Sequence, residues 1–269
     1  MAQSAAQRKF KRGVEHMQAV CGEAKAFENG GAYVVRVEPE PRPPNEVEYH
    51  FYAVRKKAIP DHWPLVIGDA IQNFRHSLDH AVYTAAKGKG RTQFPIFEDA
   101  CEFQVKGRKD IKAAPTSIQA IIEQAQPFNT VIGHPASDVL AVLADLSNFD
   151  KHRDITAMAS YVELPWLSHD GLLPGQSLRA TYTAEGKPLG DEDTQVMSFI
   201  LSGPKADQMK VYPGVAYEVR IERVRRNKRT IDRIGLVTTL EHIAMRVADV
   251  IEAVEMGRPP SVWLRPAAP

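Results

Sequence analysis

Apolar residues recur at steps of three and four over residues 5–27, where Phe10, Val14, Met17, Cys21 and Ala24 share one side of a helix. Asn29-Gly30-Gly31 follows, a run that tolerates positive φ and closes the element. The period then drops to two. Residues 33–37 are rich in β-branched and aromatic types, and over residues 46–54 Val47, Tyr49 and Phe51 alternate with Glu46, Glu48 and His50. Two strands are expected, with the proline-rich stretch 39–44 as a long hairpin loop between them.

Helical spacing returns at residues 65–86, where Ile67, Ile71, Phe74, Leu78, Ala81, Val82 and Ala85 form an apolar stripe. Pro60 and Pro64 precede it and Lys87-Gly88-Lys89-Gly90 closes it. A loop-rich stretch containing Phe94-Pro95-Ile96-Phe97 leads to a short helix at 117–124. Another follows at 136–149, with Val139, Val142, Leu143 and Leu146 inward. From Ile155 the alternation resumes: segments 155–164, 178–183, 196–201 and 215–221 read as strands separated by Gly, Pro and Asp turns. A last helix, 236–256, carries Leu240, Ile243, Val247, Val250, Ile251 and Val254. The order predicts a single α+β domain over 1–269. Its helical bundle comes from about 1–154 and 232–256, its antiparallel sheet from about 155–231, and the hairpin is an insertion.

Composition narrows the function classes without choosing one. With 43% hydrophobic and 25% charged residues the chain is ordinary for a globular protein. A net charge of +1 gives no global attraction to nucleic acid or membranes, although a local basic patch remains open. Two cysteines, Cys21 and Cys101, do not make a disulfide framework. The N-terminal stretch lacks the apolar run of a signal peptide, and no segment approaches the ~20 apolar residues of a membrane span. A cytoplasmic protein with no membrane partner is expected. There is no P-loop, no GxGxxG opening a helix and no GxSxG, so no cofactor is expected.

The polar residues of the second helix form an unusual mixture. At 100° per residue, Asp69, Asn73, His76 and His80 fall within roughly a 60° sector opposite Phe74, and Arg75 and Asp79 flank it. On the helix that follows Ala136, Asp145, Asn148 and His152 share a side, with Lys151 and Arg153 adding cations. If the two helices lie side by side, these faces share a pocket. Three chemistries suit it, beside the plainer reading of two solvated faces. His76 and His80 at i, i+4 could bind a metal ion with His152 or Asp145 as a third ligand. Arg75, His80, Lys151 and Arg153 could grip an anion or a partner's carboxylate without catalysis.

The third chemistry comes from a resemblance. Asn73-Phe74-Arg75-His76-Ser77-Leu78-Asp79-His80 places an arginine, four residues and a histidine, with a polar residue directly after the arginine. This resembles the signature of the HEPN superfamily, small helical nucleases whose arginine and histidine, usually paired across a homodimer, cleave RNA without metal. The wider set Gly68-Asp69, Asn73-Phe74-Arg75, Leu78-Asp79-His80, Phe94-Pro95-Ile96 and Asn148-Phe149-Asp150-Lys151-His152-Arg153 is similar to a group of uncharacterised bacterial and phage proteins. The resemblance implies a HEPN-like bundle, a homodimer and an RNA substrate. It assigns the catalytic roles to Arg75, as phosphate stabiliser, and His80, as general acid or base. Asn73, His76 and Asp79 would orient them, and Asn148, Lys151 and His152 would complete the pocket. The basic run 223–229 could add phosphate contacts through Arg225 and Arg226, as could Arg153, though a solvated turn balanced by Asp191-Glu192-Asp193 is the plainer reading.

Overall fold

Segments with helical spacing fold with one another, and so do most of the alternating ones. A computed structural model of the chain describes residues 3–90, 92–151, 153–163, 168–169, 172–183, 188–190, 192–208, 211–212, 216–225 and 231–259. These divide into two units. The helical unit takes the described parts of Met1–Cys21, His62–Thr156 and Glu222–Pro269; the sheet unit takes those of Gly22–Asp61 and Ala157–Ile221.

Helix α1 (Ala5–Asn29) gives its first part, to Cys21, to the helical unit. The unit continues with α2 (Trp63–Ala85), α3 (Ala100–Glu102), a π-type turn (Phe103–Gly107), α4 (Arg108–Ile111), α5 (Thr116–Gln124), α6 (Pro127–Thr130), α7 (Val139–Asp150) and α8 (Leu236–Met256). Pro64 sits in the first turn of α2, where its missing N–H has no intrahelical partner to lose. The predicted stripe of α2 is buried from Ile67 to Val82, with Ala85 half-buried at its end, and α2 packs against α7 and α8. On α8, Leu240, Ile243, Val247, Val250, Ile251 and Val254 are likewise buried. Burying each such side chain stabilises the unit by roughly 1.5–3 kcal/mol. Phe10 of α1 meets Phe74 of α2 with ring centroids 5.7 Å apart. Gly13 permits that approach, since a Cβ there would sit 2.8 Å from the Phe74 ring. Gly68 serves the α2–α7 contact in the same way, because a Cβ would collide with the Asp150 carboxylate.

A buried ion pair ties α7 to the chain that precedes α8. Arg223 donates from Nε to Asp145 Oδ2 at 2.8 Å and from Nη2 to the Ala136 carbonyl at 2.7 Å. Both partners are nearly sealed from water, at 3% and 5% exposure. The first cation of the basic run is therefore an internal counter-ion, not a surface phosphate contact.

The sheet unit holds β1 (Tyr33–Arg42), β2 (Glu46–Arg55), β7 (Thr194–Ser202) and β5 (Ser177–Thr183), hydrogen-bonded in the order β1-β2-β7-β5 and antiparallel throughout. A second antiparallel group joins β3 (Ala157–Glu163) to β6 (Pro188–Leu189) and β9 (Ala216–Val224), whose last residues pass into the helical unit, as does β10 (Ile231–Gly235). A two-stranded ladder pairs β4 (Ser168–His169) with β8 (Val211–Tyr212). The alternation of β2 is realised: Val47, Tyr49 and Phe51 are buried, with Phe199 of β7 stacked 5.3 Å from both aromatic rings. Tyr217 bridges the end of α1 and β1, donating to the Phe27 carbonyl and accepting from the Ala32 N–H at 2.9 Å each.

Mixed helix and antiparallel sheet is the architecture expected, with three local departures. The hairpin is not a separate insertion beside the sheet, since β2 pairs directly with β7. Stretch 39–44 is not all loop: β1 runs through Pro39 and Pro41 to Arg42. Because β1 is the edge of its sheet, prolines there break no ladder between neighbours. The loop-rich stretch after Pro95 contains α3, the π-type turn and α4, pieces too short to show a period. No helix among the described residues is long and apolar enough to cross a membrane. The buried pair gives the first test. Asp145→Ala strands the Arg223 guanidinium and should destabilise the helical unit by about 3–5 kcal/mol in urea denaturation. Lys151→Ala, at an exposed position, should stay within about 0.5 kcal/mol.

Candidate functional site

Helix α2 carries two polar lines, and they have different fates. Asp69, Asn73, His76 and His80 face outward: Asp69 and His76 are exposed, Asn73 and His80 half-buried, and Asn73 Nδ2 donates back to the Asp69 carbonyl at 2.8 Å. Gln72, Arg75 and Asp79, also spaced by three and four, form the inward line. Gln72 Nε2 donates to the Ser147 carbonyl and to Asp150 Oδ2, each at 2.9 Å, so α2 and α7 do lie side by side.

Arg75 and Asp79 take hold of one residue. Arg75 Nη2 donates to the Phe94 carbonyl at 2.6 Å, the Phe94 N–H donates to Asp79 Oδ1 at 2.9 Å, and the two side chains lie 3.4 Å apart. Both backbone groups of a buried, irregular residue are thereby satisfied, as burial demands. Buried Gln126 does the same for the next residues, donating to the Pro95 carbonyl at 2.8 Å and accepting from the Phe97 N–H at 3.0 Å. Segment 93–97 is thus fixed from both sides and becomes a rigid wall.

Between that wall, α2 and α7 lies a cavity of about 210 Å³, lined by Arg75, Gln93, Ser147, Asn148, Lys151 and Asp110, with residues 94–97 and Ala144. Ile96, Phe97 and Ala144 also line a wider cleft of about 780 Å³, whose other walls carry Glu98, Asp99, Glu102, Lys106 and Asp145. The smaller cavity carries the cations Arg75 and Lys151 beside the Asp110 carboxylate. The wider cleft is mainly acidic. Asp145 is committed to Arg223, and Glu102 to Lys106 at 3.1 Å.

The cavity brings together Arg75, Asn148 and Lys151. His80 does not line it. His80 is the fifth residue after Arg75, which turns the two roughly 140° apart on the helix. Asp79 holds Phe94 in place, and Asn73 belongs to the outward line. Arg153 is exposed and outside the cavity, and Arg225 is paired with Asp232 at 2.6 Å. His152 and Arg226 lie outside the described residues, so the His76/His80/His152 metal set does too. Among the described residues no group of three potential metal ligands includes His76 or His80. Sequence reasoning passed over Gln72, Gln93, Ser147 and Gln126. The Gln72-Arg75-Asp79 spacing was a usable signal for the first; the others are set by tertiary contacts.

His76 stands at the outer flank. Partial burial holds its imidazole below the usual range; Asp79 opposes this, while Lys9, Lys151 and Arg75 reinforce it.

No family model, no curated protein and no solved structure matches the chain.

An NMR titration of the His76 ring should give a midpoint below the ordinary ~6.5. Asp79→Asn, which retains an oxygen for the Phe94 N–H but removes the charge, should lower it further. Because the folded value is the lower one, the unfolded chain takes up this proton first. The contribution to stability is present above about pH 6.5 and is lost as pH falls toward the folded midpoint. A midpoint at or above the free-imidazole value would contradict this placement.

Proposed function

We propose that the cavity between α2, segment 93–97 and α7 binds the phosphate group of a nucleotide or RNA strand, on a helical unit related to the HEPN proteins. The observation that supports it is the convergence of Arg75, Lys151, Asn148 and Ser147 on one cavity of about 210 Å³. Arg75 is a buried guanidinium that never loses its charge, and low local dielectric strengthens its field. Asp79 offsets part of that charge, so Lys151, exposed at the rim, supplies the rest as a point charge. Asn148 adds an amide that can donate to a phosphate oxygen.

The shared edge favours a nucleotide over a bare anion. A sugar and base extending past Ile96 and Phe97 would reach the larger cleft, where Glu98 can accept from a base amino group. This reading needs neither a metal nor a second copy. Cleavage by an Arg75–His80 pair would need a second copy but no metal: the helix separates the two side chains within one copy, so a HEPN-type homodimer would have to supply His80 from the other.

Fluorescence anisotropy with a short RNA and competition by nucleoside monophosphates, all in EDTA, tests the proposal. Lys151→Ala should weaken binding about 10- to 100-fold, the range of a charge-assisted hydrogen bond. Asn148→Ala should weaken it less, and His80→Ala should leave it unchanged. RNA cut in EDTA by the wild type, untouched by His80→Ala and still cut by Lys151→Ala, would replace this reading with the nuclease.

A further inference from the structure

The polar face of the four-stranded sheet holds a second cluster. Register places Glu40 of β1 opposite Glu48 of β2, and His50 lies two residues farther along β2 on the same face. Each offers one ligand atom, and the three atoms lie within 4.8 Å of one another. His50 Nε2 is 3.1 Å from Glu40 Oε2 and 3.9 Å from Glu48 Oε2. The Glu48 side chain is 7% exposed, an unusual depth for a carboxylate on a sheet's polar face. Its Oε1 accepts from Thr181 at 2.9 Å, and the Thr181 hydroxyl meets Ser198 at 2.7 Å. Its Oε2 is buried and is met by the Arg42 guanidinium, half-exposed at the end of β1.

We propose that Glu40, Glu48 and His50 form a binding site for a divalent transition cation of the zinc type. One imidazole nitrogen and two carboxylate oxygens are a ligand set that such ions take, leaving a fourth position for water. The supporting contacts are those a metal site requires. Thr181 and Ser198 orient Glu48 from behind, and Gln195 lies 3.1 Å from His50 Nδ1. With the Gln195 amide turned to present its oxygen, Nδ1 keeps its proton and Nε2 turns its lone pair to the ion. Glu40, largely exposed, is free to swing in and complete the set. The ion takes the place of the contact between His50 Nε2 and Glu40 and displaces the Arg42 guanidinium from Glu48. The site lies in the sheet unit and does not rest on the phosphate reading.

Chain dialysed against EDTA and then titrated with Co²⁺, read by visible absorption, and with Zn²⁺, read by calorimetry, tests it. One ion per chain is expected. Binding should be lost in Glu48→Gln and His50→Ala and fall at least tenfold in Glu40→Gln, whose position is exposed. Arg42→Gln should tighten binding several-fold, because it removes the competing cation; a purely structural ion pair would gain nothing from that change. If His50→Ala fails to fold, the Zn²⁺-dependent shift of the wild-type His50 ring signals, needing at least tenfold more Zn²⁺ in Glu40→Gln, carries the same test. No stoichiometric ion, or binding that survives these variants and disappears in His76→Ala/His80→Ala, overturns the proposal.

Discussion

The candidate site depends on how a stretch of irregular chain is held. Segment 93–97 has no ladder or helix of its own, yet Phe94 is buried, so its N–H and carbonyl must find partners inside the protein. Asp79 and Arg75, one turn apart on α2, provide them. A buried polar group left without a partner costs about 1–3 kcal/mol, more when that group is charged, so this clamp holds the wall firmly. Gln126 repeats the arrangement at Pro95 and Phe97. The cavity is the space that remains between this wall and α7, and the residue that lends it positive charge is also the one that shapes it.

Such dual use recurs with the other internal charges. Arg223 and Asp145 neutralise each other in the core of the helical unit, and the same Asp145 reaches the wall of the larger cleft. On the sheet, Glu48 is buried against Thr181 and Ser198 with Arg42 at its open side. In each case a charge removed from water is matched by an opposite charge and by hydrogen bonds, the condition under which buried ions are tolerated. The difference lies in access. Arg223 and Asp145 are nearly sealed, Asp145 only edging the larger cleft, whereas the cavity opens at Lys151 and the sheet cluster opens at Glu40 and Arg42.

Much of the fold was legible because periodicity reports which side of an element is buried. The stripe from Ile67 to Val82, the alternation from Val47 to Phe51 and the helix from Leu236 to Met256 all match their observed burial. Elements of one or two turns, such as α3 and α4, carry too few residues to show a period, and Pro39 and Pro41 in β1 are permitted only by its edge position, which depends on pairing. The site was legible in part. A polar helix face drew attention to Asp69, Asn73, His76 and His80, but polarity alone does not separate a solvated stripe from one that holds a loop. Arg75 and Asp79 sat on the flank of that stripe, and their spacing relative to Gln72 was the better guide. Arg223 looked like part of a surface patch because a run of cations gives no sign of which one has a buried acid waiting for it.

Arg75 and Asp79 act together as the clamp on Phe94 that forms the cavity wall. Amide hydrogen exchange at Phe94 tests it most directly. With its N–H held by Asp79, this amide should exchange as slowly as amides of the α2 core such as Ile71 and Leu78. In Asp79→Ala it should speed up by about tenfold or more, while Ile71 and Leu78 keep their protection. A Phe94 amide that exchanges at the rate of an open loop in the unaltered protein, or that is indifferent to Asp79→Ala, would contradict the account.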